Sequence, residues 1–412
     1  MRPFLAALVV CGLLPATAQA LVVRAEEVFV GHDGMTAGVD VHVTAAAGER
    51  NDVRLERSGD RLLVTEHGAT LLVGDGCAPV GRDAASCPRP VLLDTGVFVS
   101  LGDEDDTALV TVTLPTAVTV LGGAGADRLS GRNGLYGEDG SDVITGAQFA
   151  DGGAGDDVVT GGPYDDYLAG GGGADVLDGG EGNDTLVDET SPDTGADRLE
   201  GGPGRDLLDY SLHQEPVVVD LAAAQQVAAT ADSVTGFEDI SLGAGDDVVR
   251  GTDGRNAIRT GPGADVIRAG GGSDTIFAGP GRDNVDAGRD FLTDTIACGV
   301  GSDLLDAEEL DVIRGCDVVY LDGADRPATR VQRDGRRVRV VLRCSHVTAD
   351  CRGDVELRRR GVSLGRASFA CAADPCPSAW MRVRRTHRLR ITVVTTLADG
   401  TGEAVQRLTL PR

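Results

Sequence analysis

The sequence predicts an all-β fold: a right-handed parallel β-solenoid with an N-terminal β cap and a C-terminal immunoglobulin-like β-sandwich. Three observations predict it. Aromatic residues make up only 3% of the 412 residues while glycine numbers 59, so no large core of rings can form and the chain must fold through short aliphatic contacts or bound ions. From residue 122, glycine, aspartate and aliphatic residues recur with a nine-residue phase, the mark of a stacked repeat. The charge also changes sign along the chain. Residues 1–325 hold 19 Arg against 58 Asp and Glu, a balance of −39, and residues 326–412 hold 19 Arg against 7 acids, a balance of +12. Two physically different modules therefore meet near residue 325.

Taken in order, residues 1–20 read as a secretory signal. Met1-Arg2 opens a positive segment, Phe4 to Leu14 is apolar, and Ala18-Gln19-Ala20 fits a small-residue cleavage site. The apolar run is too short for a membrane span. Cleavage would discard Cys11 and leave eight cysteines, an even number in an oxidising compartment, so disulfides are expected. Proximity in sequence suggests Cys77–Cys87, Cys298–Cys316, Cys344–Cys351 and Cys371–Cys376.

Residues 21–120 are β-rich, with runs such as Arg61-Leu-Leu-Val-Thr65, Val97-Phe-Val99 and Val118-Thr-Val120. They fit an N-terminal cap and the first irregular coils of the same solenoid; a separate sandwich is the alternative.

Residues 121–325 carry the repeat. Glycine takes the first, second and fourth places, Asp the sixth and an aliphatic residue the eighth, as in Gly152-Gly-Ala-Gly-Asp-Asp157-Val-Val159-Thr160. Of seventeen units, fourteen have Asp in the sixth place: Asp127, Asp142, Asp157, Asp166, Asp175, Asp184, Asp197, Asp206, Asp247, Asp265, Asp274, Asp283, Asp294 and Asp303. Sixteen have Val, Leu or Ile in the eighth. The glycines permit a tight turn at positive φ, and the triplet after the Asp is a minimal strand whose middle side chain faces inward. Two units make one coil, and coils stack by parallel pairing at ~4.8 Å, so Val159 should lie over Leu177, Leu168 over Leu186 and Ile267 over Val285. Aspartates then recur on each edge every second unit. Such a row repels itself unless a cation bridges it, and all-oxygen ligands select a hard ion, calcium, over transition metals.

Two early units are only six residues long and lack the Asp, carrying Asn133 and Gln148 instead. Alternation places Asp127, Asp142, Asp157, Asp175 and Asp197 on one edge, with Asn133, Gln148, Asp166, Asp184 and Asp206 opposite. In the second block Asp247, Asp265, Asp283 and Asp303 share an edge, facing Asn256, Asp274 and Asp294. The first coils should therefore bind on one edge only, with two-edged binding from near Asp166. Residues 210–242 interrupt the pattern and read as an elaborated coil, with Val217–Leu221 as a strand and Ala-rich 222–231 as a short helix or loop.

From residue 326 to 412 the pattern alternates: Val338, Val340 and Leu342 with Arg337, Arg339 and Arg343, and again at Leu389, Ile391 and Val393. This is the signature of half-buried antiparallel strands, fitting a small immunoglobulin-like sandwich. Its Arg excess could dock an anionic cell-wall polymer, a surface glycan or the acidic roll; the alternative is an Arg-coated solvent face.

The repeat resembles the Gly-Gly-x-Gly-x-Asp-x-U-x nonapeptide of the secreted, hemolysin-type repeats-in-toxin (RTX) calcium-binding proteins of bacteria. That resemblance covers residues 122–306 and implies a parallel β-roll with several calcium ions held between successive turns. The implied ligands are the sixth-place Asp carboxylates together with loop carbonyls such as those of Gly153, Gly155, Gly171 and Gly173.

Composition also excludes functions. All 38 basic residues are Arg, so Schiff-base chemistry, a phosphate-loop Lys and a toxin's acyl-Lys are all ruled out. The net charge of −27 opposes nucleic acid as a partner. HExxH is absent, the one GxSxG match, at residues 361–365, falls in the alternating Arg-rich tail, and the six His are scattered. The expected function is therefore a secreted, non-enzymatic calcium-binding protein, an extracellular structural or adhesive element that folds on calcium after export. The alternative is a secreted hydrolase or polysaccharide-modifying enzyme that carries the roll as an accessory domain.

Overall fold

A computed structural model describes residues 20–30, 36–88, 96–112, 117–132, 134–188, 195–223, 225–226, 232–301, 303–308, 311–314, 316 and 318–321, and then the strand segments 328–334, 337–343, 351–359, 362–371, 379–382, 389–397 and 403–410. Among these residues every regular element is a β-strand, so no helix is long and apolar enough to cross a membrane. The chain forms two compact units, Met1–Asp157 and Val158–Arg412.

In the first unit two parallel sheets form the faces of a coil. Thr36–Thr44, Val97–Gly102, Val118–Ala124, Gly134–Asp139 and Phe149–Ala154 build the front face. Asp52–Ser58, Thr107–Val110, Arg128–Gly131 and Val143–Thr145 build the back. The first described residues cap this stack with antiparallel strands. Leu21–Val30 pairs with Thr36–Thr44 on the front, while Arg61–Glu66 and Ala84–Pro88 extend the back. Antiparallel addition interrupts the parallel stacking, and on the front Leu71–Val73 then pairs parallel with Leu21–Val23 as the last strand. A Cys77–Cys87 disulfide ties the cap together.

Alternation decides which side chains go inside. Val99, Val120, Leu135 and Ala150 stack in register on the front, Ala108, Leu129 and Ile144 on the back, and all are fully buried. A three-residue strand such as Val143–Thr145 gives one inward residue and two outward ones, whereas the longer Val97–Gly102 buries Val97, Val99 and Leu101.

The second unit repeats the plan. On its front, Leu168, Leu186, Leu208, Ile240, Ile258, Ile276, Ile296 and Ile313 form one column. On its back, Val159, Leu177, Leu199 and Val234 form a second column, and Val219, Val249, Ile267, Val285 and Leu305 a third. The back face changes sheets within the expected interruption. Val218–Asp220 starts the new sheet by pairing forward with Val248–Arg250, while Ser233–Thr235 returns to finish the old one. Gln225–Gln226 lies antiparallel to Ser233–Thr235. The Ala-rich stretch thus holds the two-residue strand Gln225–Gln226 where a short helix or loop was the expectation, and residues 224 and 227–231 lie outside the described set. Cys298–Cys316 bonds across the far end of the front column.

The Arg-rich segment forms two antiparallel sheets. Ala328–Asp334, Arg337–Arg343 and Ala379–Arg382 make one, and Val362–Cys371, Cys351–Arg359, Leu389–Leu397 and Glu403–Leu410 the other. Register sets the Cα of Cys351 opposite that of Cys371. Cys344 and Cys376, the other halves of the expected pairs, lie outside the described residues.

The glycines hold the corners. Gly182 has φ +140°, and a Cβ there would run into the backbone carbonyl of Tyr164 one coil away. Gly172 has open space around it. Gly182→Ala is therefore expected to cost about 1–3 kcal/mol and Gly172→Ala close to nothing, a contrast that thermal melts in calcium will measure.

Candidate functional site

Each coil turns a corner before its strand, and the sixth-place residue sits at that corner. Its backbone N–H has no strand partner there, because pairing starts one residue later. The carboxylate of the next coil's Asp supplies the acceptor. In the first unit Asn51, Asp106, Asp127 and Asp142 donate in turn to the Oδ1 atoms of Asp106 (2.6 Å), Asp127 (2.7 Å), Asp142 (2.7 Å) and Asp157 (2.7 Å). Gln148, at the matching corner of the other edge, is exposed, and Asn133 lies outside the described residues. Among the described residues the buried carboxylates of this unit all belong to the back edge or the cap beside it.

The second unit has such rows on both edges. On the back, Asp175 donates to Asp197 (2.8 Å) and Asp197 to Asp232 (2.9 Å). A new row then runs from Val217 to Asp247, Asp265, Asp283 and Asp303, at 2.9–3.2 Å. On the front, Asp166 donates to Asp184 (2.9 Å), Asp184 to Asp206 (2.8 Å) and Asp206 to Glu238 Oε2 (3.0 Å). Asn256, Asp274 and Asp294 continue it to Asp311. The fourteen aspartates singled out in the sequence therefore fall into these rows, on the edges that alternation assigns. Gly153 and Gly155 (φ +105° and +129°), like Gly171 and Gly173 (φ +93° and +149°), occupy the corners beside them.

Along these rows one carboxylate oxygen is used in this way and the second is left for a ligand; Asp166, at the start of its row, instead accepts from the Gly162 N–H with Oδ2. The Oδ2 atoms of Asp106, Asp127, Asp142, Asp184, Asp206, Asp247, Asp265, Asp274 and Asp283 are buried and accept no hydrogen bond. An orphaned buried carboxylate oxygen costs heavily unless a cation or a proton takes it. The first glycine of each unit leaves the room. A Cβ at Gly137 would strike both Asp142 Oδ2 and the Gly152 carbonyl, and one at Gly179 would strike Asp184 Oδ2 and the Gly201 carbonyl. Carboxylate and carbonyl oxygens thus meet at one place per coil, a donor set that fits calcium and lacks the nitrogen or sulfur a transition metal prefers.

The electrostatics agree. Burial first, and then the charge of neighbouring carboxylates, pushes Asp127, Asp206, Asp265 and Asp274 up to about 6, and Asp283 and Asp294 to about 7. At the interruption three carboxylates from different coils, Asp188, Asp197 and Asp232, bring an oxygen each within 4.8 Å of one another. Burial and the Asp232 charge raise Asp197 to about 8. His213 Nε2 lies 3.3 Å from Asp188, and Tyr210 donates to Asp232 at 2.8 Å.

Reading the repeat by its glycines missed Asn51, Asp106, Asp232, Glu238 and Asp311 as members of these rows, and Asp188 beside them. A shorter signal finds four of them: an Asp or Asn two places before an inward residue, as in Asp106-Thr-Ala108 or Asp311-Val-Ile313. Nothing of the kind marks Asp188.

The model of the RTX calcium-binding nonapeptide repeat matches seven stretches of the chain: residues 118–134, 135–151, 151–186, 193–210, 234–267, 241–276 and 259–291. No curated protein matches the chain. The match falls on the aspartate rows just described: the chain carries RTX calcium-binding nonapeptide repeats, and its repeat region folds as a parallel β-roll.

Proposed function

We propose that the protein is exported through the general secretory route, loses residues 1–20, and folds on calcium outside the cell, where it serves as a non-enzymatic structural or adhesive element. The observation that carries this reading is the row of buried carboxylates with one oxygen spent on the neighbouring coil and the other orphaned. Such a row is a liability in the cytosol. Extracellular calcium modules work at ~10⁻⁴–10⁻³ M ion, so the fold would wait for export. The Arg-rich C-terminal strands fit an immunoglobulin-like sandwich, and their balance of +12 suits an anionic wall polymer or surface glycan.

Calorimetric titration of the exported protein with calcium tests the reading. Several ions should bind, and Asp265→Asn with Asp283→Asn should lower their number while leaving the Arg-rich segment's strands intact. Absence of binding heat would overturn it. Export is checked by the mature N-terminus, expected at Leu21.

A further inference from the structure

Aromatic side chains are rare in this chain, 3% of all residues, yet rings gather on the outward front face of the first unit, and none of them belongs to an aspartate row. His42, Phe98, Thr119, Gly134 and Phe149 stand in register on neighbouring strands as one outward column. Ser100, Leu121, Tyr136 and Asp151 form the column beside it. Phe98 and Phe149 are 42% and 40% exposed. A single exposed ring is ordinary, but a group of them on one sheet face marks a surface that meets something.

Glycine sets how the rings lie. A Cβ at Gly96 would sit 3.2 Å from Phe98 Cζ, and one at Gly134 would sit 3.5 Å from Tyr136 Cε2. Each ring therefore folds back over the glycine two places earlier and lies along the sheet. His42 stacks on Phe98 at 5.3 Å with 18° between the planes, and Phe149 braces Tyr136 at 5.7 Å. The strand Val118–Ala124 separates the two ring pairs and sets Thr119 between them. Strands lie ~4.8 Å apart, so Phe98 and Tyr136 stand about 10 Å apart across the sheet, farther than one sugar ring reaches and within the span of a short oligosaccharide. The polar groups of this face are hydroxyls and carboxylates: Ser100, Thr119, Asp151, and Asp40, which accepts from the Gly96 N–H at 2.9 Å. Among the described residues of the front strands in this unit Arg24 is the one Arg, and it pairs with Glu26 at 3.3 Å.

These features select the occupant. A polyanion would meet Asp40 and Asp151 with the one Arg already paired, and a second copy of the chain would set like carboxylates against each other. A ring lying flat instead attracts the slightly positive C–H face of a sugar to its negative π face, and neighbouring hydroxyls and carboxylates bond the sugar's hydroxyl groups. A β-1,4-linked glycan is a flat ribbon, which matches rings laid along a sheet. We propose that the outer front face of the first unit binds an extended, uncharged β-1,4-linked glycan. Phe98 and Tyr136 are the stacking platforms, His42 and Phe149 brace them, and Thr119 and Asp151 bond the hydroxyls. The surface shares no residue with the aspartate rows or with the Arg-rich segment, whose charge suits an anionic polymer.

The test titrates the full-length mature protein in calcium with cellohexaose and chitohexaose by calorimetry. Glucose and N-acetylglucosamine serve as one-sugar controls, and polygalacturonate as the polyanion. At least one hexasaccharide is expected to bind, about tenfold or more tighter than its monosaccharide. Phe98→Ala and Tyr136→Ala should each weaken that binding by about tenfold or more, while Tyr136→Phe keeps it. Circular dichroism and the count of bound calcium should stay at wild-type values, because the substituted side chains face outward. Should Phe98→Ala fail to fold, Tyr136→Ala against Tyr136→Phe carries the comparison. No binding of either hexasaccharide, or binding that both Ala variants leave intact, would overturn the proposal. So would a preference for polygalacturonate, or a concentration-dependent dimer, that is lost in the same variants. A wild-type protein that binds the hexasaccharide and no calcium would overturn the calcium reading alone.

Discussion

In metal-free buffer the repeat region is expected to lose most of its β-sheet circular dichroism and to regain it on adding calcium. The reason lies in how little else holds each coil. A three-residue strand contributes a single fully buried aliphatic residue, such as Leu177 or Ile267. That residue must compensate for ordering nine backbone positions, several of them glycines with the most freedom to lose. Hydrogen bonds between coils add little net stability against water. Each ion, at a hundredfold excess over its dissociation constant, adds about 2.7 kcal/mol to the folded side. With rows on both edges of the second unit, the sum decides whether the roll exists. Circular dichroism in chelator and after calcium is the measurement, and undiminished β content in chelator would refute the coupling.

Acid should partly replace calcium. Burial raises the carboxylates of the folded rows above their unfolded values: Asp197 to about 8, Asp106, Asp283 and Asp294 to about 7, Asp127 and Asp265 to about 6. A raised acid pKa means that the folded state binds protons more tightly than the unfolded state. Below the unfolded value near 4 both states are protonated and nothing is lost. Stability then falls as pH rises through the window from about 4 to 8, where the unfolded chain ionises freely and the folded rows resist. Without calcium, lowering the pH from 8 to 5 should raise the melting temperature, by several degrees for each kcal/mol recovered. With calcium bound, the same acidification should lower it, since protons and ions compete for the same oxygens. Opposite slopes in the two buffers are the expected result. Parallel slopes would mean that these aspartates are not the ion ligands.

These expectations concern groups that the sequence names directly. A sixth-place Asp, an eighth-place aliphatic residue and three glycines imply a corner, a minimal strand and a tight return, and spacing alone yields the pairing of Val159 with Leu177 and Leu168 with Leu186. Two short units were enough to show that Gln148 leaves its edge without a carboxylate. Periodicity carries this information because in a coil the register is a matter of counting.

What lies off the period was legible only in three dimensions. Asp188 has no repeat around it, yet chain reversal in the interruption sets it against Asp197 and Asp232. Glu49 and Glu66 carry no repeat around them either, and it is the pairing of the cap strands that buries them. Sequence by itself determined the coil, its inward ladder and the edge on which each repeat aspartate stands, because those follow from side-chain alternation and unit length. Tertiary structure alone decided where the aspartate rows end and which non-repeat residues meet them, because a row can end only where a cap or a reversal stops the stacking.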